Sequence, residues 1–146
     1  MTKGDLKAVY NIQRSLIQSF EARALAVRKV VTNSGGKTPG VDNKILASPE
    51  EYFNMIETLR KIVRNVKEYK AEPLRRIMIP KANGGERPLG IPTITDRAIQ
   101  ALYHMGVDPA VEATSDKDSF GFRKERSTLD AIAHFRNYMD KGRSPR

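Results

Sequence analysis

Between residues 75 and 92 the chain reads RRIMIPKANGGERPLGIP, and no other stretch restricts its folding as strongly. Pro80, Pro88 and Pro92 argue against a helix, since each lacks an N–H and locks φ. The same prolines cannot donate to a ladder, so strands built here must lie at a sheet edge or stand alone. Residues 74–81 and 87–92 alternate as two short strands, and Ala82-Asn83-Gly84-Gly85 gives the turn between them its positive φ angles. The expectation is an antiparallel hairpin with Lys81 and Arg87 as its shoulders. A loop of 82–86 sets the two residues opposite each other on one face, whereas a loop of 82–85 sends them to opposite faces. The sequence is compatible with both.

Helical periodicity dominates on either side. Residues 3–32 read as one long helix with Leu6, Val9, Tyr10, Leu16, Ile17, Phe20, Leu25 and Val30 at three- and four-residue steps. Lys3, Lys7, Arg14, Arg23 and Arg28 mostly fall away from that stripe. NSGGKTPGVDNK, residues 33–44, is loop. Ser48 then serves as N-cap, Pro49 as N1 and Glu51 as the closing member of a capping box. The stripe of this helix is Phe53, Ile56, Leu59, Val63 and Val66, and it should end near Lys70. A third helix is predicted from Thr95, carrying Ile99, Leu102 and Tyr103, interrupted by Asp108-Pro109 and followed by a short helical piece to Thr114. Residues 119–127 are irregular, and a last helix opens on a Ser127–Asp130 capping box with Gly142 as its stop. The fold class is α+β, with segments at 1–48, 49–97 and 98–146.

Charge points to a class of partner. Lys and Arg number 26 against 17 Asp and Glu, a net charge of +9. The excess is +5 in residues 1–48 and +3 in 49–97, but only +1 in 98–146. A basic chain with its charge concentrated in one part has the electrostatic footprint of a polyanion binder; a solvated basic surface is the plainer alternative. The absence of cysteine excludes disulfides and thiolate metal sites. No apolar run approaches the roughly 20 residues of a membrane span, and no signal-peptide core precedes the first helix, so a cytoplasmic (bacterial) or organellar location is expected.

Common enzyme signatures are missing. His104 and His134 lack a second histidine at metal spacing and read as helix-surface residues. NSGGKTPG does not have the order of a phosphate loop, and no strand precedes it. Asp116 and Asp118 lie in a charged loop where solvation accounts for them. No catalytic residue and no metal ligand is assigned. Lys81 and Arg87 are the better prospect: held together, a guanidinium and an ammonium would clamp a triphosphate, Arg in pairs of oxygens and Lys as a point charge; on spacing alone, two cations at a solvent-exposed turn are the plainer reading.

Three blocks, NSGGKTPGVD (33–42), LRRIMIPKANGGERPLGIPTITDRAIQ (74–100) and SFGFRKERSTLDAIAHF (119–135), resemble the N-terminal part of group II intron-encoded reverse transcriptases, or maturases, in order and at similar spacing. The resemblance implies the helix-rich fingers subdomain of a right-hand polymerase, with an antiparallel hairpin and the start of the palm. Residues 1–48 would then be an N-terminal helix and a loop that lids the template. Residues 49–97 would supply a helix and the nucleotide-gripping hairpin, and 98–146 a fingers-to-palm segment truncated before the catalytic palm motifs. It further implies that Lys81 and Arg87 hold the triphosphate of an incoming dNTP. Asn33, Gly35 and Lys37 would lie in the lid, Pro80 and Ile91 near the templating base, and Arg123 along the template. Arg75, Arg76 and Arg97 would contact phosphates or pair with acids such as Glu72. Lys124 stands where many relatives carry Pro.

The family's catalytic aspartates are expected further on, some in a Tyr-x-Asp-Asp turn that these 146 residues do not contain. The tail GRSPR has no terminal cap and reads as cut. On this reading the fragment binds RNA template and dNTP without a cofactor of its own, and Mg2+ belongs to the full-length polymerase. The partners implied are intron RNA, an RNA template with a DNA primer, and dNTP. A different reading is a stand-alone, non-catalytic RNA-binding or splicing-helper module. A third is a basic structural domain whose helix stripes bury a homodimer interface.

Overall fold

The computed structural model describes residues 5–140, which form five α-helices, one short 3-10 turn and one two-stranded hairpin. Helix α1 spans Leu6–Gln18, α2 Phe20–Thr32 and α3 Pro49–Arg64, with a 3-10 turn at Ser34–Lys37. The strands β1 (Arg75–Pro80) and β2 (Glu86–Ile91) follow, then α4 (Ile94–Thr114) and α5 (Thr128–Asp140). The chain divides into two compact units after Ala110. The fold is α+β, and no helix among the described residues is long and apolar enough to cross a membrane.

The single helix expected over 3–32 is two helices; Lys3 lies outside the described residues. Ser19 adopts φ −70° and ψ 151°. Its hydroxyl accepts the Ala22 N–H at 3.1 Å, so the side chain caps α2 where the backbone would otherwise continue α1. That break changes which face is buried. Ile17 and Val30 are buried as expected, but Leu6, Tyr10, Phe20 and Leu25 are open to solvent, and Ala22, Ala26 and Val27 face the core instead. Arg23, read as lying off the stripe, is also buried. Its Nη1 donates to the Gln18 carbonyl at 2.6 Å, and its Nε has no partner.

Helix α3 begins as its sequence dictates. The Ser48 Oγ accepts the Glu51 N–H at 3.3 Å, and the Glu51 carboxylate accepts N–H bonds from Ser48 at 2.9 Å and Ala47 at 2.7 Å. It ends at Arg64 and not near Lys70, because Asn65 leaves helical geometry at φ −123°. Ile56 and Leu59 are buried, whereas Phe53 and Val66 are exposed and Met55 takes their place. These residues meet Ala26, Val27 and Val30 of α2 and Ile94, Ala98 and Leu102 of α4 in one core. Helix α1 approaches α4 at Gly106, where a Cβ would come within 2.8 Å of the Ile17 Cδ1.

Helix α4 starts at Ile94, one residue before the expected Thr95, and runs through Pro109 to Thr114 without the expected interruption. Proline removes one N–H from the ladder and crowds one carbonyl, a cost of about 3 kcal/mol that flanking helical turns can absorb. In the second unit, α5 opens on the predicted capping box: the Asp130 carboxylate accepts the Ser127 N–H and hydroxyl, both at 2.7 Å, and the Ser127 Oγ accepts the Asp130 N–H at 3.3 Å. Gly142 and the GRSPR tail lie outside the described residues.

The hairpin stands alone as a two-stranded antiparallel sheet, as its prolines require. Arg75 pairs with Ile91, Ile77 with Leu89, Ile79 with Arg87, and Pro80 with Glu86. The Lys81 N–H donates to the Gly85 carbonyl at 2.6 Å and the Gly84 N–H to the Lys81 carbonyl at 3.1 Å, while only Gly84 takes a positive φ, +80°.

The Ala47 and Ser48 amides hold the Glu51 carboxyl below its ordinary 4.5. A carboxyl lowered in the folded state adds stability above the unfolded pKa, and that stability is lost as pH falls through the folded value. An NMR pH titration should therefore give Glu51 a midpoint below 4.5, with the first turn of α3 loosening only beneath it.

Candidate nucleic-acid interface

Lys81 and Arg87 follow neither register foreseen from sequence. Arg87 pairs with Ile79, and Lys81 lies opposite Gly85. Residues 79 and 81 share a face by alternation, so Lys81 and Arg87 sit on one face, one diagonal step apart. Such diagonal neighbours are about 7–8 Å apart, within joint reach of one polyanion. Residues 75–91 hold four cations, Arg75, Arg76, Lys81 and Arg87, and one acid, Glu86. None of the four cations has an ion pair among the described residues. Ile77, Ile79, Leu89 and Ile91 occupy the face that carries Lys81 and Arg87; Arg76, Met78, Pro80, Glu86, Pro88 and Gly90 occupy the other. Pro80 and Ile91 are not brought together: Pro80 is exposed at the turn end, while Ile91 is buried at the root opposite Arg75.

The loop after α2 is built on glycine. Asn33 caps the 3-10 turn, its Oδ1 accepting the Gly35 N–H at 3.4 Å and the Ser34 hydroxyl at 3.2 Å. Gly36 is pressed against α2, where a Cβ would lie 2.5 Å from the Val30 carbonyl oxygen. Gly40 is pressed against the root of the hairpin, where a Cβ would lie 2.8 Å from the Thr93 Cα. Sequence reading singled out Gly35, at which a Cβ meets nothing; the two close approaches had no signal beyond the residue type. Lys37 is exposed at the end of the turn.

Arg97 holds this loop in place. Its Nη1 donates to the Gly35 carbonyl at 2.8 Å and its Nη2 to the Thr38 carbonyl at 2.6 Å, with Nε 3.5 Å from the Thr93 carbonyl. These partners are backbone carbonyls, not Glu72. One residue earlier, Asp96 is buried and unforeseen from sequence. Its carboxylate accepts a short bond from the Tyr69 hydroxyl and another from the Thr93 hydroxyl at 2.5 Å, and its N–H donates to the Thr93 Oγ1 at 3.2 Å. Thr93-x-x-Asp96 is thus the cap of α4, and a Thr three residues before an Asp was the available signal. Burial, and then the bond to Asp96, push the Tyr69 phenol well above its ordinary pKa of 10.

In the second unit Arg123 pairs with Glu112 at 2.8 Å, and Arg126 makes a short bond to the same carboxylate. Arg126 also donates to the carbonyls of Lys117 at 3.0 Å and Ser119 at 2.6 Å, and covers the Phe120 ring. His134 lies between the Phe120 and Tyr138 rings and 3.1 Å from Asp118, so it is less a plain surface residue than the sequence suggested. His104 faces Asp108 at 3.9 Å on the surface of α4.

The described residues do not fit a magnesium site. No group of three or more His, Cys, Asp or Glu among them could hold a metal ion. Asp96, Glu112, Asp118 and Asp130 are each engaged by protein donors.

Residues 1–59 match the family described as the N-terminal domain of reverse transcriptase. The chain is 39% identical over 119 residues to protein YkfC of Escherichia coli strain K12, covering 80% of this chain and 31% of that protein. It is 36% identical over 120 residues to maturase-like protein 1 of Euglena gracilis, covering 82% and 26%. It is 34% identical over 111 residues to the group II intron-encoded protein LtrA of Lactococcus lactis subsp. cremoris, covering 74% and 18%. The chain thus spans less than a third of the length of these relatives.

Two charge-assisted bonds from one guanidinium predict the effect of removing it. Arg97→Ala should destabilise the loop locally by about 1–3 kcal/mol and speed amide exchange at Gly36 and Thr38 well beyond any change at α3. Arg97→Lys should restore only part. Hydrogen exchange followed by mass spectrometry checks both.

Proposed function

We propose that this chain, which matches the N-terminal part of group II intron-encoded reverse transcriptases and maturases, is the fingers region that grips nucleotide and template. The hairpin binds the triphosphate of the incoming dNTP: Arg87 takes two oxygens in its planar fork and Lys81 neutralises a third. The observation that carries this reading is the hairpin register, which sets both cations on one face with no acid partner among the described residues. A triphosphate would supply the missing counter-charge.

The loop of Asn33, Gly35 and Lys37 lids the template, held by Arg97, whose guanidinium serves the loop's carbonyls. Arg75 and Arg76 take phosphates of the template–primer, and Pro80 and Ile91 contribute from opposite ends of the hairpin. Arg123, fixed against Glu112, belongs to the fingers-to-palm segment and lies along the template. Intron RNA is the wider partner, following the names of the relatives. The Tyr-x-Asp-Asp turn is not among these 146 residues, so they bind and orient without themselves holding Mg2+. When bound in a complete polymerase, magnesium supplies charge stabilisation for phosphoryl transfer.

Lys81→Ala and Arg87→Ala should each weaken binding of a fluorescent dNTP roughly 10- to 100-fold, since a hydrogen bond to a charged group contributes about 1.5–3 kcal/mol. Affinity for a single-stranded RNA should change less than threefold. Arg87→Lys should fall between, keeping the charge and losing the fork. Unchanged nucleotide affinity with a large loss of RNA affinity would assign the hairpin to RNA phosphates and favour the stand-alone RNA-binding module.

A further inference from the structure

A second basic feature shares no residue with the hairpin or the loop. A groove of about 780 Å3 runs between α1, the turn after α3 and the middle of α4. Its apolar floor includes Ile17 and Val63, and its rim carries Arg14, Arg64 and Lys67 against one acid, Glu68. All three cations are exposed, and none has an ion-pair or hydrogen-bond partner for its side chain among the described residues. Tyr10 and Tyr103 also line it, with neither phenol bonded to the protein among those residues. Tyr10 is 60% exposed, a large ring left in solvent beside Arg14 one helical turn on.

We propose that this groove takes one or two nucleotides of single-stranded RNA, stacking bases on Tyr10 and Tyr103 and neutralising phosphates with Arg14, Arg64 and Lys67. Cations alone would suit any polyanion, and an apolar floor alone any peptide. The two together, with the exposed Tyr10 and the half-buried Tyr103 among the lining residues, match the way single strands are held: a charged groove along the backbone and π-faces for the bases. Its volume is within the range of small-ligand sites, which suits splayed-out nucleotides and not a duplex lying in the groove. The ring faces give base-tolerant affinity, so the site would anchor RNA without reading its sequence. The proposal rests on the RNA-binding reading above and adds a second place of contact, separate from template and dNTP.

The test uses the full chain and a 12-nucleotide RNA carrying 5-iodouridine. Irradiation followed by mass spectrometry should give crosslinks at Tyr10 and Tyr103. In the triple variant Arg14→Gln/Arg64→Gln/Lys67→Gln the slope of log affinity against log salt should shrink by about 2, since each phosphate contact on a single strand contributes about 0.7. These residues are exposed, so the variant retains the core. Tyr10→Phe should bind as the parent does and Tyr10→Leu several-fold more weakly, a split that charge alone would not produce. Crosslinks confined to the hairpin and loop, with an unchanged slope in the triple variant, would overturn the groove while leaving RNA binding intact. An RNA that fails to bind the parent chain even at low salt would overturn both. Binding of an acidic peptide that RNA cannot displace would assign the groove to a protein partner and overturn the proposal.

Discussion

Five residues, Thr93 to Arg97, anchor the hairpin root, the glycine loop and the segment around Tyr69. Asp96 is buried there with the Tyr69 and Thr93 hydroxyls as its donors. A buried carboxylate without such donors would cost several kcal/mol, so the segment around Tyr69 is fixed by the need to satisfy it. Arg97 reaches the opposite way and ties the carbonyls of Gly35 and Thr38. Gly40 closes against Thr93 itself. The hairpin root, the glycine loop and the turn before the hairpin therefore share one anchor, at the first turn of a helix whose Ile94, Ala98 and Leu102 are in the core. Exposed loops are cheap to move. Here their entropy is reduced by tying them to a helix whose first turns are in the core.

That arrangement separates the jobs of cations that look alike in the sequence. Arg97, Arg123 and Arg126 are engaged by carbonyls or carboxylates of the protein. Arg14, Arg64, Lys67, Arg75, Arg76, Lys81 and Arg87 have no such partners among the described residues. A net charge of +9 spread over unpaired groups repels itself in the compact state. A bound polyanion relieves that repulsion, so stability and binding should be linked, more strongly at low salt where screening is weak.

Much of this was legible because it is local. The capping boxes at Ser48 and Ser127 need only a hydroxyl and a carboxylate three residues apart, and both formed. Prolines at 80, 88 and 92 forced a hairpin without neighbouring strands, and none joins it among the described residues. The failures are where a weak local preference met a tertiary one. Ser19 had two uses, helix interior or cap, and the cap won, which rotated the buried stripe toward Ala22, Ala26 and Val27. Pro109 looked like a stop, but a helix with its start anchored by Asp96 runs through it. Two hairpin registers were compatible with the sequence, and the structure takes neither: the Lys81 N–H bonds the Gly85 carbonyl across a shorter turn. The roles of Arg23, Asp96 and Arg97 depend on partners that include residues as far as 62 positions away, beyond the reach of any spacing rule.

Why a solitary hairpin is tolerated at all follows from the same charges. Two strands with only Ile91 buried make a marginal sheet, and their open edges invite pairing with other chains. Arg75, Arg76, Lys81 and Arg87 oppose that by repulsion, and Pro80 and Pro88 remove donors from the ladder. The residues that keep the edge from aggregating are thus the same ones assigned to phosphate in the proposed function. On the proposed function, a change that neutralises them would lose affinity and edge protection together, coupling solubility to binding in this hairpin.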